Sequence, residues 1–212
     1  MIRALTLDLY GTALQPRRPV AATYAEHGQA WGVEQDAGQL MAAFHTAVHR
    51  TMAEQRMLGD GRAFWQRVVA RATGCDDPDY FEGLFLYFGS PRAYQLAPGL
   101  EDCCLDLSAA GVRLGVISNA DTRTLRVLEG LGLSQLVDVV LLSAQLAWDK
   151  PDERIFHEAC QLLDSPPRHT LHVGDSLHCD VEGARGAGLQ ALHWGVEASH
   201  FHQVRDRALS AL

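Results

Sequence analysis

Arg113-Leu114-Gly115-Val116-Ile117-Ser118-Asn119 is a short apolar run that stops at two polar residues. Its length and β-branched content read as a buried strand, and helical spacing follows from Asp121. The same unit recurs downstream. Val137 to Leu142 leads to a helix from Pro151, Thr170 to Val173 to a helix from about Asp180, and Leu189 to His193 closes the series. Upstream, the apolar run Ile2 to Leu7 ends in Asp8 and the turn signal Gly11-Thr12. Strand alternating with helix implies right-handed βαβ units and a parallel sheet buried on both faces, an α/β doubly wound architecture.

Between Pro19 and Phe88 the rhythm changes. Apolar residues recur at helical spacing, and breaks at Gly32, Asp60-Gly61 and Gly74-Cys75-Asp76 divide the stretch into about four helices. Gly89 to Gly99 reads as a linker, with a helix beginning near Pro98 and stopping at Gly111. Residues 15–95 are therefore expected to form a helical insertion, and 1–14 with 96–212 the α/β core.

The chain has 212 residues, 47% hydrophobic and 21% charged, enough apolar content to bury a core, which excludes wholesale disorder. Eighteen basic residues against 26 acidic ones give a formal charge of −8, which argues against general attraction to nucleic acid or anionic lipid. Apolar stretches are broken by charge or glycine well before the ~18 residues a membrane span needs, and Met1-Ile2-Arg3 runs straight into a strand pattern. Cys75, Cys103, Cys104, Cys160 and Cys179 have no CxxC spacing, so neither a disulfide scaffold nor a zinc site is expected. These features fit a cytoplasmic protein without nucleic-acid or membrane partners; monomer and homodimer remain open.

In a parallel sheet the carboxyl ends of the strands share one edge, where ligands bind. Those ends carry Asp8, Ser118-Asn119 and Gly174-Asp175-Ser176 with Asp180 just beyond, and the third strand leads to Lys150-Pro151. Lys150 stands out because the chain has seventeen arginines and no other lysine. Pro151 keeps it out of helical geometry and suits the first helical position, with Asp152 and Glu153 in the first turn. Asp8, Asp175 and Asp180 against a single ammonium would repel one another unless protonated or joined by a cation. Magnesium, which takes carboxylates, water and phosphate oxygens, suits the set better than zinc does. N-capping by Asp175 or Ser176 is the alternative use of either residue.

The residues resemble the haloacid dehalogenase superfamily, most of whose members are phosphatases. Leu7-Asp8-Leu9-Tyr10-Gly11-Thr12 resembles its first motif, Ile117-Ser118-Asn119 its second, Lys150-Pro151 with Ile155-Phe156 its third, and Gly174-Asp175-Ser176 through Asp180 its fourth. The resemblance implies a Rossmann-like core with a helical cap. The stretch from Tyr94 to Trp194 is similar to a subgroup related to the rhythmically expressed gene product of flies. By resemblance, Asp8 is the nucleophile and passes through an aspartyl-phosphate. Thr12 and Ser118 then offer hydroxyls to phosphate oxygens, and Asn119 orients its neighbours. The same resemblance implies Mg2+ held by Asp8, the Tyr10 main-chain carbonyl, Asp175 and Asp180, the last acting on metal-bound water or on Lys150.

Tyr10 departs from the phosphatase pattern, which has a second aspartate there as general acid and base. Tyrosine resembles the 2-haloacid dehalogenases, where halide leaves unprotonated; Asp175 departs from the dehalogenases in turn, since they assemble no metal site. The reading favoured is a magnesium-dependent phosphatase of a small phosphorylated metabolite. A metal-free dehalogenase and a slow or non-catalytic phosphoryl-binding protein are the alternatives. An imine-forming phosphonate hydrolase is excluded, because the insertion has no lysine.

Tyr24, His27, His45, His49, Arg50 and Arg56 are the insertion residues that could face the crevice. Met41, Phe44, Met52 and Met57 read as packed helix faces, and Trp148 as packing.

Overall fold

The computed structural model describes residues 1–210. Strand β1 (Ala4–Leu7) is followed by a short β2 (Leu14–Pro16), and then by four helices: α1 (Val20–Gly28), α2 (Ala37–Glu54), α3 (Arg62–Thr73) and α4 (Pro78–Phe88). The chain returns through β3 (Tyr94–Leu96), α5 (Leu100–Ala109), β4 (Arg113–Ser118), α6 (Thr124–Gly130), β5 (Val139–Leu142) and α7 (Glu153–Leu162). It ends with β6 (Thr170–Gly174), α8 (Gly183–Gly186), β7 (Gln190–His193) and α9 (Phe201–Leu209).

β1, β4, β5, β6 and β7 form one parallel sheet in the order β5-β4-β1-β6-β7, the α/β doubly wound, Rossmann-like arrangement. Both faces are covered, which is why β1 is buried at every residue. Leu100 and Leu107 of α5, Val127 of α6 and Phe201 of α9 share one cluster with Leu5 and Leu7. Ile155 and Phe156 of α7 and Ala184 of α8 share a second with Ile117 and Leu141. The buried residues of α7, Ile155, Phe156, Ala159 and Cys160, recur at helical spacing and give it one apolar stripe.

Antiparallel pairing of β2 with β3 closes the base of the α1–α4 segment. That segment has apolar clusters of its own, one around Tyr24, Leu40, Tyr80 and Leu84 and another around Phe64 and Val68. The starts of α2 and α4 are written locally. Asp36 and Gln39 make a reciprocal capping box, and Asp77 accepts from the amides of Asp79 and Tyr80 beside Pro78.

Three expected helix starts are displaced. Asp121 lies outside α6, because its carboxylate accepts from the Arg123 amide and leaves Thr124 as the first helical residue. Pro151 is not the first residue of α7: Asp152 caps that helix, accepting from the Arg154 amide, and the Lys150–Pro151 peptide is cis. The helix expected from about Asp180 begins earlier, as a wider π-type turn over Leu177–Glu182.

Candidate active site

Strand register puts the polar residues at one edge. Leu7 stands beside Val116 and Val173, so the residues after them come level where the strands end, and the Asp8 amide donates to the Val173 carbonyl at 2.9 Å. Lys150 Nζ reaches Asp8 Oδ1 at 2.7 Å and Asp180 Oδ1 at 2.5 Å, with 2% of the lysine side chain exposed. Asn119 fixes the lysine from behind: its Nδ2 donates to the Lys150 carbonyl and its Oδ1 accepts the Lys150 amide, both at 2.8 Å. Asp8, Asp175 and Asp180 each bring a carboxylate oxygen within 4.8 Å of the others.

Two glycines make the approach possible. Gly11 has φ +93°, and a Cβ there would run into the Asp175 carboxylate; one on Gly174 would run into Asp180. The N-cap role falls to Ser176, whose Oγ accepts the Cys179 amide, while the Asp175 side chain stays exposed at the cluster. Ser118 is buried at the end of β4. The Thr12 hydroxyl is fully buried and finds no hydrogen-bond partner among the described residues. A buried hydroxyl without a partner is costly unless a ligand oxygen completes it.

The charges are unequal. Burial raises the Asp8 pKa, and Asp180 and Asp175 add to the rise against the opposing Lys150. Asp175, at the exposed rim, is also raised, by partial desolvation and then by Asp180. Asp180 is held well below the usual carboxylate range: burial opposes this, but the hydrogen bond from His172 and the charge of Lys150 outweigh it. Burial also works against the Lys150 ammonium, and Asp8 and Asp180 together keep it protonated. An excess of carboxylate over ammonium in oxygen-only surroundings suits a hard divalent cation. Asp8 and Asp175 are the residues fitted to hold one, since Asp180 is already occupied by Lys150, by His172 Nε2 at 3.2 Å and by the Ser176 amide at 2.9 Å.

His172 is a member of this network that the sequence reading passed over. It is fully buried in β6, accepts from Thr6 Oγ1 through Nδ1 at 2.9 Å, and gives Nε2–H to Asp180. Burial depresses its pKa, so the ring is neutral, which fits one donating and one accepting nitrogen. The only signal was a histidine inside the apolar run Leu171-His172-Val173.

The Tyr10 phenol turns away from the acids. It hydrogen-bonds Thr124 Oγ1 at 3.0 Å, its ring lies 5.2 Å from that of Tyr94, and burial pushes its pKa up to about 12. Beside it, between α1–α4 and the strand ends, is a cavity of about 480 Å³ whose wall includes Tyr10, Gly11, Asn119, Tyr24, His45 and Arg56. Met41, Phe44, Met52 and Met57, read from the sequence as packed faces, also border this space. His27, His49 and Arg50 do not: His27 bonds the Thr23 carbonyl, His49 is exposed, and Arg50 pairs with Glu54. Trp148 packs, with Arg154 over its ring at 4.8 Å.

Two ties across the cavity were also missed. Trp65 Nε1 donates to Asp121 Oδ2 at 2.7 Å, and Arg123 spans Asp121 Oδ2 at 2.7 Å and the carbonyl of Phe85 in α4. Arg56 forks onto Asp149 at 2.7 and 3.1 Å and reaches the Ser143 and Leu146 carbonyls.

Residues 2–188 match the model of a hydrolase family described as haloacid dehalogenase-like hydrolase. The human haloacid dehalogenase-like hydrolase domain-containing protein 3 is 35% identical over 202 residues, 90% of this chain and 80% of that protein. A glyceraldehyde 3-phosphate phosphatase of Methanothermobacter thermautotrophicus is 35% identical over 96 residues, 45% of this chain and 42% of that one. The solved L-2-haloacid dehalogenase of Xanthobacter autotrophicus, with chloropropionic acid covalently bound, superposes with a TM-score of 0.72 at 16% identity, covering 99% of this chain and 81% of the other.

Proposed function

The chain belongs to the haloacid dehalogenase-like hydrolase family, and from that premise we propose that it is a magnesium-dependent phosphatase of a small phosphorylated metabolite, with Asp8 as nucleophile. The observation that carries this reading is the meeting of Asp8, Asp175 and Asp180 within 4.8 Å around one buried ammonium. Magnesium, when bound, supplies the positive charge that lets an anionic carboxylate approach a phosphoryl dianion. An Asp8 oxygen attacks phosphorus as the bond to the leaving oxygen breaks, giving an aspartyl-phosphate; water then cleaves this, restoring the carboxylate and releasing inorganic phosphate. Lys150 stays protonated beside the reacting oxygens and neutralises charge. The buried Thr12 hydroxyl donates to a phosphoryl oxygen, and Ser118 lies on the neighbouring strand end to do the same. The Tyr10 carbonyl is a further metal ligand in this account, and Asn119 keeps the lysine in place.

A phenol held at about 12 and already bonded to Thr124 gives no acid–base help at neutral pH. The enzyme therefore favours leaving groups that depart without a proton, such as acyl and nitrophenyl phosphates. The test is hydrolysis of p-nitrophenyl phosphate by purified protein with and without magnesium, alongside Asp8→Asn. Activity that needs both the metal and Asp8 is expected; undiminished activity in Asp8→Asn overturns the reading.

Tyr10 also supports a second reading, a dehalogenase in which Asp8 displaces halide without metal. Release of halide from 2-chloropropionate in the presence of chelator would favour it. Against it, both guanidiniums bordering the cavity are committed to carboxylates, Arg56 to Asp149 and Arg123 to Asp121, which leaves neither free for a haloacid carboxylate.

A further inference from the structure

The cavity beside the acid cluster is lined largely by apolar surface. We propose that the substrate of this site is a phosphoester whose leaving group carries an aliphatic or aromatic body seated in that cavity. This rests on the phosphatase reading above and specifies its substrate.

The space measures about 480 Å³, within the range of about 300–1,000 Å³ usual for small-molecule sites. Most of its wall is apolar, and Met41, Phe44, Phe64, Leu84, Phe85 and Phe88 are among the residues that line it. Its wall includes Gly11, the residue against the Asp175 carboxylate, and Asn119, the residue that clamps Lys150. A phosphoryl group held at the acids therefore directs whatever is esterified to it past Gly11 and Asn119, among the aromatic and methionine side chains. Hydroxyls of a sugar set against the apolar part of this wall would give up water without regaining a partner, which disfavours such a body.

Charge argues the same way. Arg56 and Arg123 border the cavity, and each is neutralised by a carboxylate that borders it too, Asp149 and Asp121. A second phosphate or a carboxylate on the substrate would have to break one of these pairs. A body without charge leaves both intact, and the methionines Met41, Met52 and Met57 give the wall the means to adjust to its shape.

The experiment compares aryl esters of matched leaving-group acidity on the wild-type protein with magnesium: phenyl phosphate, 4-hexylphenyl phosphate and, as the polar counterpart, 4-(glucosyloxy)phenyl phosphate. Acetyl phosphate, which has almost no body, reports the chemistry alone. Each buried methylene is worth about 4-fold in binding, so 4-hexylphenyl phosphate is expected to exceed phenyl phosphate in kcat/KM by about 100-fold or more. The glucosyloxy ester should fall below both, and Val48→Trp, which fills the cavity, should lower the hexyl-to-phenyl ratio at least about 10-fold. If acetyl phosphate is hydrolysed but the aryl series is flat, or the glucosyloxy ester is the best of them, the apolar substrate is wrong and the phosphatase reading survives. If no phosphate ester or acyl phosphate turns over, the phosphatase reading itself has failed. Calorimetry with alkylphosphonates then decides the rest: hexylphosphonate binding at least about 100-fold tighter than methylphosphonate sustains the apolar seat, and equal binding overturns it.

Discussion

Lys150 balances two buried carboxylates at once, so removing it leaves Asp8 and Asp180 facing each other without a counter-charge. Breaking a buried pair in this way costs about 3–5 kcal/mol. Lys150→Met should therefore lower the thermal midpoint by roughly 6–20 °C for a chain of this size, and a drop of under about 2 °C in calorimetry would contradict the triad. That Lys150, Asp8 and Asp175 come together was legible in the sequence, because Asp8 and Asp175 follow strand ends and Lys150, in the loop after the third strand, is the sole lysine beside seventeen arginines. The role of Tyr10 was legible only in part. That its phenol gives no acid–base help follows from its residue type, but its bond to Thr124, 114 positions away, follows only from the fold. His172 was invisible for a similar reason: a histidine within a strand is unremarkable until Asp180 and Thr6 are seen on either side of its ring.

The elements themselves were readable where the signal is local. Alternating strand and helix marked the sheet, while the starts of α6 and α7 were misjudged because Asp121 holds the Arg123 amide in a turn ahead of α6 and Asp152 caps α7. What holds α2–α4 to the sheet edge was not readable at all, since Trp65 and Arg56 look like ordinary members of helical or loop stretches. The Trp65 indole donates to a buried, charged acceptor, and Trp65→Phe should cost about 1.5–3 kcal/mol. The Arg56–Asp149 fork is about a third exposed on each side, 35% and 32%, so screening reduces Arg56→Ala to about 1 kcal/mol or less. Urea unfolding followed by circular dichroism should rank the two in that order; the reverse order would mean that the arginine fork is the principal tie.

Across the whole molecule, burial holds protons on groups that an unfolded chain would release. Cys103 and Cys104 are pushed up to about 12 from 9.0, and Tyr10 and Tyr80 up to about 12 from 10.0. Above pH 9 the folded state therefore binds more protons than the unfolded one, so stability falls as pH rises, first through the thiols and more steeply above pH 10. Urea midpoints should decline progressively from pH 9 to 11, and a flat profile would show these groups to be less buried than described. At this scale the doubly wound sheet and the helical insertion were both inferred from sequence, but the apolar cavity between them was not. Met41, Phe44 and Phe85 have the spacing of core residues whether they meet other side chains or an open space. The central claim, that Asp8 becomes covalently phosphorylated, is tested most directly by quenching the protein during turnover of acetyl phosphate, reducing with borohydride and mapping peptides by mass spectrometry. Magnesium-dependent conversion of residue 8 to homoserine is predicted, and steady turnover with Asp8 never modified would contradict the account.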